Sequence, residues 1–169
     1  SVTGKLSALA RFLEETFTDG FLVLKHGAIV CEQYFNGMDG RSLHLSQSVA
    51  KSFCGALAGI LAARGVLDIA APVTQYVPEL QATAYAGATI AQLLDMTSGV
   101  RFTEDYDDPF SDMGRADVAS GWKRVPPGSD PAQWPGTMLE LMLSLRTAER
   151  AHGAAFSYRS IETDVLALA

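Results

Sequence analysis

Ser46-Gln47-Ser48-Val49-Ala50-Lys51-Ser52-Phe53-Cys54-Gly55-Ala56-Leu57-Ala58-Gly59-Ile60-Leu61-Ala62-Ala63-Arg64-Gly65 is the stretch that decides how this chain is read. The run predicts a helix that starts near Ser48 and stops at Gly65, a residue suited to the left-handed position after a helix end. Lys51 is the one Lys, Arg, Asp or Glu between Arg41 and Arg64. Everything after it is apolar or small, which predicts a helix buried around its whole circumference. Burial disfavours the ammonium form, so a lysine there is expected to shed its proton and act as a base. Ser48 lies three residues earlier, on the same helix face, and a hydroxyl beside a neutral amine is a nucleophile beside its base. The helix start also offers unpaired N–H groups and a positive dipole end to a developing oxyanion. The plainer alternative is a lysine stretching out of a core helix, with Ser48 acting only as its N-cap.

Ser-x-x-Lys alone is a weak pattern, and structural context has to decide it. A second match, Ser120-Gly121-Trp122-Lys123, runs into Val125-Pro126-Pro127-Gly128, which cannot continue a helix. Only the match at Ser48 leads into a long apolar helix.

The rest of the 169 residues bounds the class. An apolar content of 48% with 19% charged residues indicates a globular chain, the size of one domain or part of a larger one. The net charge of −6, with no Lys/Arg cluster, argues against nucleic acid as a partner. Cys31 and Cys54 sit in apolar segments and read as buried free thiols, without metal-type spacing. The run from Phe53 to Ala63 is too short to span a bilayer. Lys5, Arg11, Glu14 and Glu15 rule out a signal peptide in the first twenty residues, which points to the cytoplasm if residue 1 is near the native start.

In chain order, Leu6, Leu9, Ala10, Leu13 and Phe17 predict an amphipathic first helix of about a dozen residues. Residues 21–25 and 28–35 read as strands joined by a two-residue His26-Gly27 turn. His44 reads as a satisfied structural histidine. Thr89 is a predicted N-cap for a helix through Ile90, Leu93 and Leu94 that stops at Thr97-Ser98-Gly99. Residues 101–136 hold five of the seven prolines and both tryptophans, and predict a long loop whose aromatic residues need packing partners. Its acids, Glu104, Asp105, Asp107, Asp108, Asp112 and Asp117, lack calcium-loop spacing. They suggest a rim suited to substrates bearing an amine, or else a solvated surface loop. Thr137 opens a helix over 138–145, and His152-Gly153 reads as an exposed turn. Ser160 is a predicted N-cap for a last helix with Glu162 and Asp164 in its first turn and Ile161, Val165, Leu166 and Leu168 on its apolar face.

Three segments taken together, Ser48-Val49-Ala50-Lys51, Leu93-Leu94-Asp95-Met96-Thr97-Ser98-Gly99 and Phe156-Ser157-Tyr158-Arg159-Ser160, resemble the serine-reactive family of class C β-lactamases, DD-peptidases and related esterases. Within it, Leu45 to Gly65, Asp105-Tyr106-Asp107-Asp108-Pro109 and Thr163-Asp164-Val165-Leu166-Ala167 look most similar to the nylon-oligomer amidase branch, the aminohexanoate-dimer hydrolases. The resemblance covers the chain from Asp19 onward. It implies an α+β, β-lactamase-like fold: an N-terminal helix and hairpin over 1–44, then a mostly helical part over 45–169, together a single partial domain. It further implies Ser48 as the acylated nucleophile, Lys51 as the acceptor of its proton and Tyr158 as the relay to the leaving group. Tyr106, Asp117 and Ser160 are the substrate-binding candidates.

Two departures qualify it. The β-lactamase branch carries Asn two residues after the tyrosine, where this chain has Ser160; this favours the amidase and esterase branch over a β-lactamase or DD-peptidase. The family also runs to about twice this length, so a Lys/His-x-Gly strand and further sheet strands are expected elsewhere. The expected function is acyl-enzyme hydrolysis of a small linear amide or ester, such as an aminohexanoate oligomer. The competing expectation is a catalytically incomplete portion or a binding module. No cofactor or metal is called for, and neither nucleic acid nor a membrane is an expected partner. A homodimer, or a complementing C-terminal half, is left open.

Overall fold

The computed structural model describes residues 8–169. The described residues form two compact units, divided between Ser46 and Gln47.

In the first unit, helix α1 spans Leu9–Glu15 and buries Leu13. It is shorter than its periodicity suggests: Phe17 turns left-handed at φ 50°, so it leaves the helix and lies exposed. Leu6 lies outside the described residues. Strands β1 (Gly20–Lys25) and β2 (Ala28–Tyr34) pair antiparallel, with a register break between Val23 and Leu24. The expected turn joins them, with His26 at φ 51° and Gly27 at φ 81°. Two consecutive left-handed residues make the tight turn whose twist matches that of the paired strands. His44 is a satisfied structural histidine, its ring nitrogens 3.0 Å from Asp19 Oδ2 and 3.0 Å from the Leu45 carbonyl.

In the second unit, α2 spans Val49–Ala63. The expectation of burial all round is corrected. Ala58 is buried and Lys51, Cys54 and Leu61 are half-buried, but Val49, Phe53, Leu57 and Ile60 form an exposed apolar stripe. The helix thus has one packed face, against the last helix, α6 (Ser160–Leu168). The thiols are likewise half-buried, not buried.

Helix α6 also packs on α3 (Ile90–Leu94), and their contact is the centre of the core. Ile90, Leu93, Ile161 and Val165 meet there, together with Leu80, Val100, Leu141 and Met142. Thr89 caps α3 in a reciprocal box: its hydroxyl accepts the Gln92 N–H while the Gln92 side chain accepts the Thr89 N–H. After α3 the chain turns at Gly99, φ 72°. A Cβ there would stand 2.4 Å from the Arg150 carbonyl oxygen. Gly99→Ala is therefore expected to destabilise the second unit by more than about 1 kcal/mol, from left-handed strain plus a backbone clash. A urea-melt midpoint equal to the parent's would contradict this.

Residues 101–136 are not one long loop. Asp112–Ala119 forms helix α4, with Ser111 as N-cap accepting the Gly114 N–H at 2.9 Å. The proline density around the segment hid it. Phe102 is buried and Trp134 packs on Phe110 with ring centroids 5.8 Å apart. Phe110, Tyr106 and Trp122 nevertheless remain exposed, contrary to the expectation that each finds a packing site. Helix α5 (Met138–Ser144) begins at its Thr137 cap as expected and packs against α4.

The last helix departs from expectation at its start. Arg159, not Ser160, holds the N-cap position, and no side chain of its own caps it. Glu162 is not a surface acid but fully buried, accepting the Ser98 hydroxyl at 2.6 Å with Arg159 Nη1 at 3.6 Å. Arg159, also buried, pairs in turn with Glu149. Leu168, expected on the apolar face, is exposed. His152 and Gly153 form the expected turn, but the histidine in it is half-buried. Its ring lies against the Ser98 and Ala86 carbonyls, pinning the connector before α6 to the segments on either side of α3. Among the described residues no helix is long and apolar enough to cross a membrane.

Candidate active site

The start of α2 is built unusually. Gln47 adopts φ 46°, a left-handed position for a residue with a side chain. Strain of this kind persists only where its surroundings enforce it. It swings the chain so that Ser48 occupies the N-cap position of α2, yet Ser48 makes no capping hydrogen bond. Its hydroxyl is used elsewhere, which removes the plain N-cap reading.

Ser48 Oγ accepts a hydrogen bond from Lys51 Nζ at 3.2 Å and from Tyr158 Oη at 2.8 Å. The Lys51 amine stands 5.5 Å from the Tyr158 ring centroid. Two of the three groups come from the first turn of α2. The third comes from the segment just before α6, and α2–α6 packing brings them together. Lys51 is half-buried, so the sealed apolar surroundings expected from the sequence are replaced by a partly open site.

Tyr158 is the group whose acidity the site tunes. Burial pushes its phenol up, but hydrogen bonding with Ser48, Lys51 and Ser160, with the Lys51 charge, outweighs burial and holds it below the ordinary tyrosine value. On α6, burial raises the Asp164 carboxyl; the Lys51 charge pulls it down and Glu104 pushes it up.

The other candidates fall into two groups. Ser160 and Tyr106 join the constellation through Glu104, which the sequence did not single out as a site residue. Glu104 Oε1 accepts the Tyr106 and Ser160 hydroxyls, each at 2.5 Å, and Oε2 accepts the Ser160 N–H at 2.9 Å. The Glu104 bond, then burial, raise the Tyr106 phenol, so it stays a donor. Asp117 is placed otherwise: it is buried on α4 and pairs with Lys123 at 2.8 Å. The lysine of the second Ser-x-x-Lys match thus forms an ion pair, with Ser120 closing α4.

A family model described as Beta-lactamase matches residues 9–169. The chain belongs to the beta-lactamase family. Among its relatives in that family, it is 41% identical over 163 residues to a 6-aminohexanoate-dimer hydrolase of Paenarthrobacter ureafaciens, covering 96% of this chain and 40% of that protein. It is 42% identical over 52 residues to a beta-lactamase of Escherichia coli K12, covering 31% of this chain and 14% of that protein. A solved chain from Bacillus anthracis, named as a candidate 6-aminohexanoate-dimer hydrolase, superposes with a TM-score of 0.79 at 30% identity, covering 98% of this chain and 42% of that one. A candidate beta-lactamase from Bacteroides dorei superposes at 0.63 and 20% identity over 94% of this chain and 42% of that one, a likeness of fold alone. The beta-lactamase-like fold, helices with an antiparallel hairpin, is therefore shown, and this chain spans about 40% of the length of the hydrolases it matches.

Proposed function

We propose that this chain carries the nucleophile and proton-transfer groups of a serine hydrolase that cleaves linear amides or esters through an acyl-enzyme. The observation that carries the reading is the meeting of Lys51 Nζ and Tyr158 Oη on Ser48 Oγ. Ser48 Oγ attacks the carbonyl carbon, and its proton passes to the Lys51–Tyr158 pair. In this reading the oxyanion is stabilised at the positive N-terminal end of α2, where the Ser48 side chain caps no backbone N–H. Collapse of the tetrahedral adduct expels the amine or alcohol, which takes a proton from Tyr158, and water then hydrolyses the acyl-serine.

The favoured substrate class is a short amide or ester bearing an amino group, of the 6-aminohexanoate-oligomer kind. Its support is the 41% identity to a hydrolase of that name and the acidic Glu104–Asp108 segment beside Tyr106. In this reading Asp117 receives the substrate ammonium by exchanging it for the Lys123 ammonium it now holds. An esterase, a β-lactamase and a DD-peptidase would share the same nucleophile.

The test is mass spectrometry after exposure to a fluorophosphonate or nitrophenyl ester, on this chain and on any longer form of the protein. The expected adduct sits on Ser48 and is absent from Ser48→Ala. Labelling that persists in Ser48→Ala would refute the nucleophile assignment. A parent that opens penicillins while sparing linear amides would move the substrate class to the β-lactamase branch.

A further inference from the structure

We propose that Glu104 is a positioning residue for the active site: its carboxylate holds Ser160 and the start of α6 so that Tyr158 is presented to Ser48. This deepens the hydrolase reading above and rests on it. Three donors converge on two oxygens: the Tyr106 and Ser160 hydroxyls on Oε1, and the Ser160 N–H on Oε2. A carboxylate has acceptors on both sides for all three, whereas an amide would aim its NH2 group at either the two hydroxyls or the backbone N–H. Helix α6 has no side-chain cap of its own, so Glu104 supplies from outside both the missing acceptor and the negative charge its N-terminus favours.

The link to chemistry runs through one proton. Ser160 Oγ has a single hydrogen and gives it to Glu104. The same hydroxyl also acts on the neighbouring Tyr158 phenol, whose titration it lowers, so Glu104 and a Tyr158 phenolate compete for one donor. Glu104 thus draws part of the Ser160 donor away from the phenolate. The other titratable groups facing Tyr158 are Lys51 on α2 and Tyr106 from the segment before α4, with Asp164 on α6 close to both Lys51 and Glu104.

Glu104→Gln weakens the hold on the Ser160 proton, which Tyr158 can then claim, and removes a nearby negative charge. Both changes favour the phenolate, so the Tyr158 titration is expected to move to lower pH, by about one unit. Misplacement of the phenol is expected to slow acylation of Ser48 by roughly tenfold or more. The titration is read by NMR of ring-labelled tyrosine, assigned through Tyr158→Phe, and acylation by ester-probe mass spectrometry. In a Ser160→Ala background, adding Glu104→Gln should shift the titration by clearly less than it does alone, because the shared proton is gone. An unchanged Tyr158 titration in a folded Glu104→Gln protein would overturn the proposal, leaving Glu104 as a loop anchor only. So would an equal shift in both backgrounds. Should Glu104→Gln fail to fold, Ser160→Ala alone must slow acylation, and an unaffected rate there overturns the proposal. Absence of a wild-type adduct on Ser48 refutes the hydrolase reading instead, while the titration still decides whether Glu104 acts on Tyr158.

Discussion

Lys51→Met is expected to lower acylation of Ser48 by at least about a thousandfold and to move the titration of Tyr158 to higher pH, as measured by probe-labelling kinetics and tyrosine NMR. Two of the influences that hold the phenol below its ordinary value, a hydrogen bond and a positive charge, come from Lys51. Removing them leaves burial, which acts in the opposite direction, opposed only by the Ser48 and Ser160 hydroxyls. The rate loss is the scale typical of a nucleophile deprived of its activating base. Methionine keeps the length and apolar character of the lysine stem, so the packing of α2 on α6 is largely retained. A Tyr158 titration that stays in place in this variant would show that the amine and the phenol are not coupled.

The second large effect is on stability. Arg159→Met is expected to cost about 3–5 kcal/mol, because Glu162 is then left as a buried charge without its cationic partner. Equilibrium unfolding in urea measures the loss. Its pH dependence has a definite sign. Burial raises the Glu162 carboxyl above the ordinary value, against the opposing hydrogen bond from Ser98 and the charge of Arg159. A raised carboxyl binds its proton more tightly folded than unfolded, so its contribution is fully present below the unfolded value and is lost as pH rises through the folded one. Removal of Arg159 widens that gap. The variant should therefore be hurt least in acid and progressively more as pH climbs past the ordinary glutamate range. A loss independent of pH would assign the cost to packing alone.

Local signals made much of the fold legible. The His26-Gly27 turn, the Thr89 and Thr137 caps and the helix from residue 49 to 63 each rest on chemistry confined to a few neighbouring residues. Ser48 and Lys51 belong to the same class, being one turn apart. Tyr158 is 110 residues from Ser48 and nothing local points to it; the motif resemblance did.

What the sequence concealed was long-range. Glu104 looked like one acid among six in an acidic stretch, and only the approach of α6 distinguishes it. Glu162 and Asp164 read as a polar first turn, because no periodicity announces that Ser98 and Arg159 wait for one of them in the interior. Helix α4 was masked by prolines lying just outside it. The apolar and small residues after Lys51 suggested burial of α2 on every side, but Val49, Phe53, Leu57 and Ile60 remain in contact with water in this chain.

The most direct measurement is the rate of Ser48 acylation by a nitrophenyl ester as a function of pH, with the adduct located by mass spectrometry and the Tyr158 titration recorded on the same protein. The account predicts an adduct confined to Ser48, forming at a rate that climbs with a midpoint matching the titration of Tyr158, below the ordinary tyrosine range. Acylation at another residue, or a rate that ignores the protonation state of Tyr158, would contradict it.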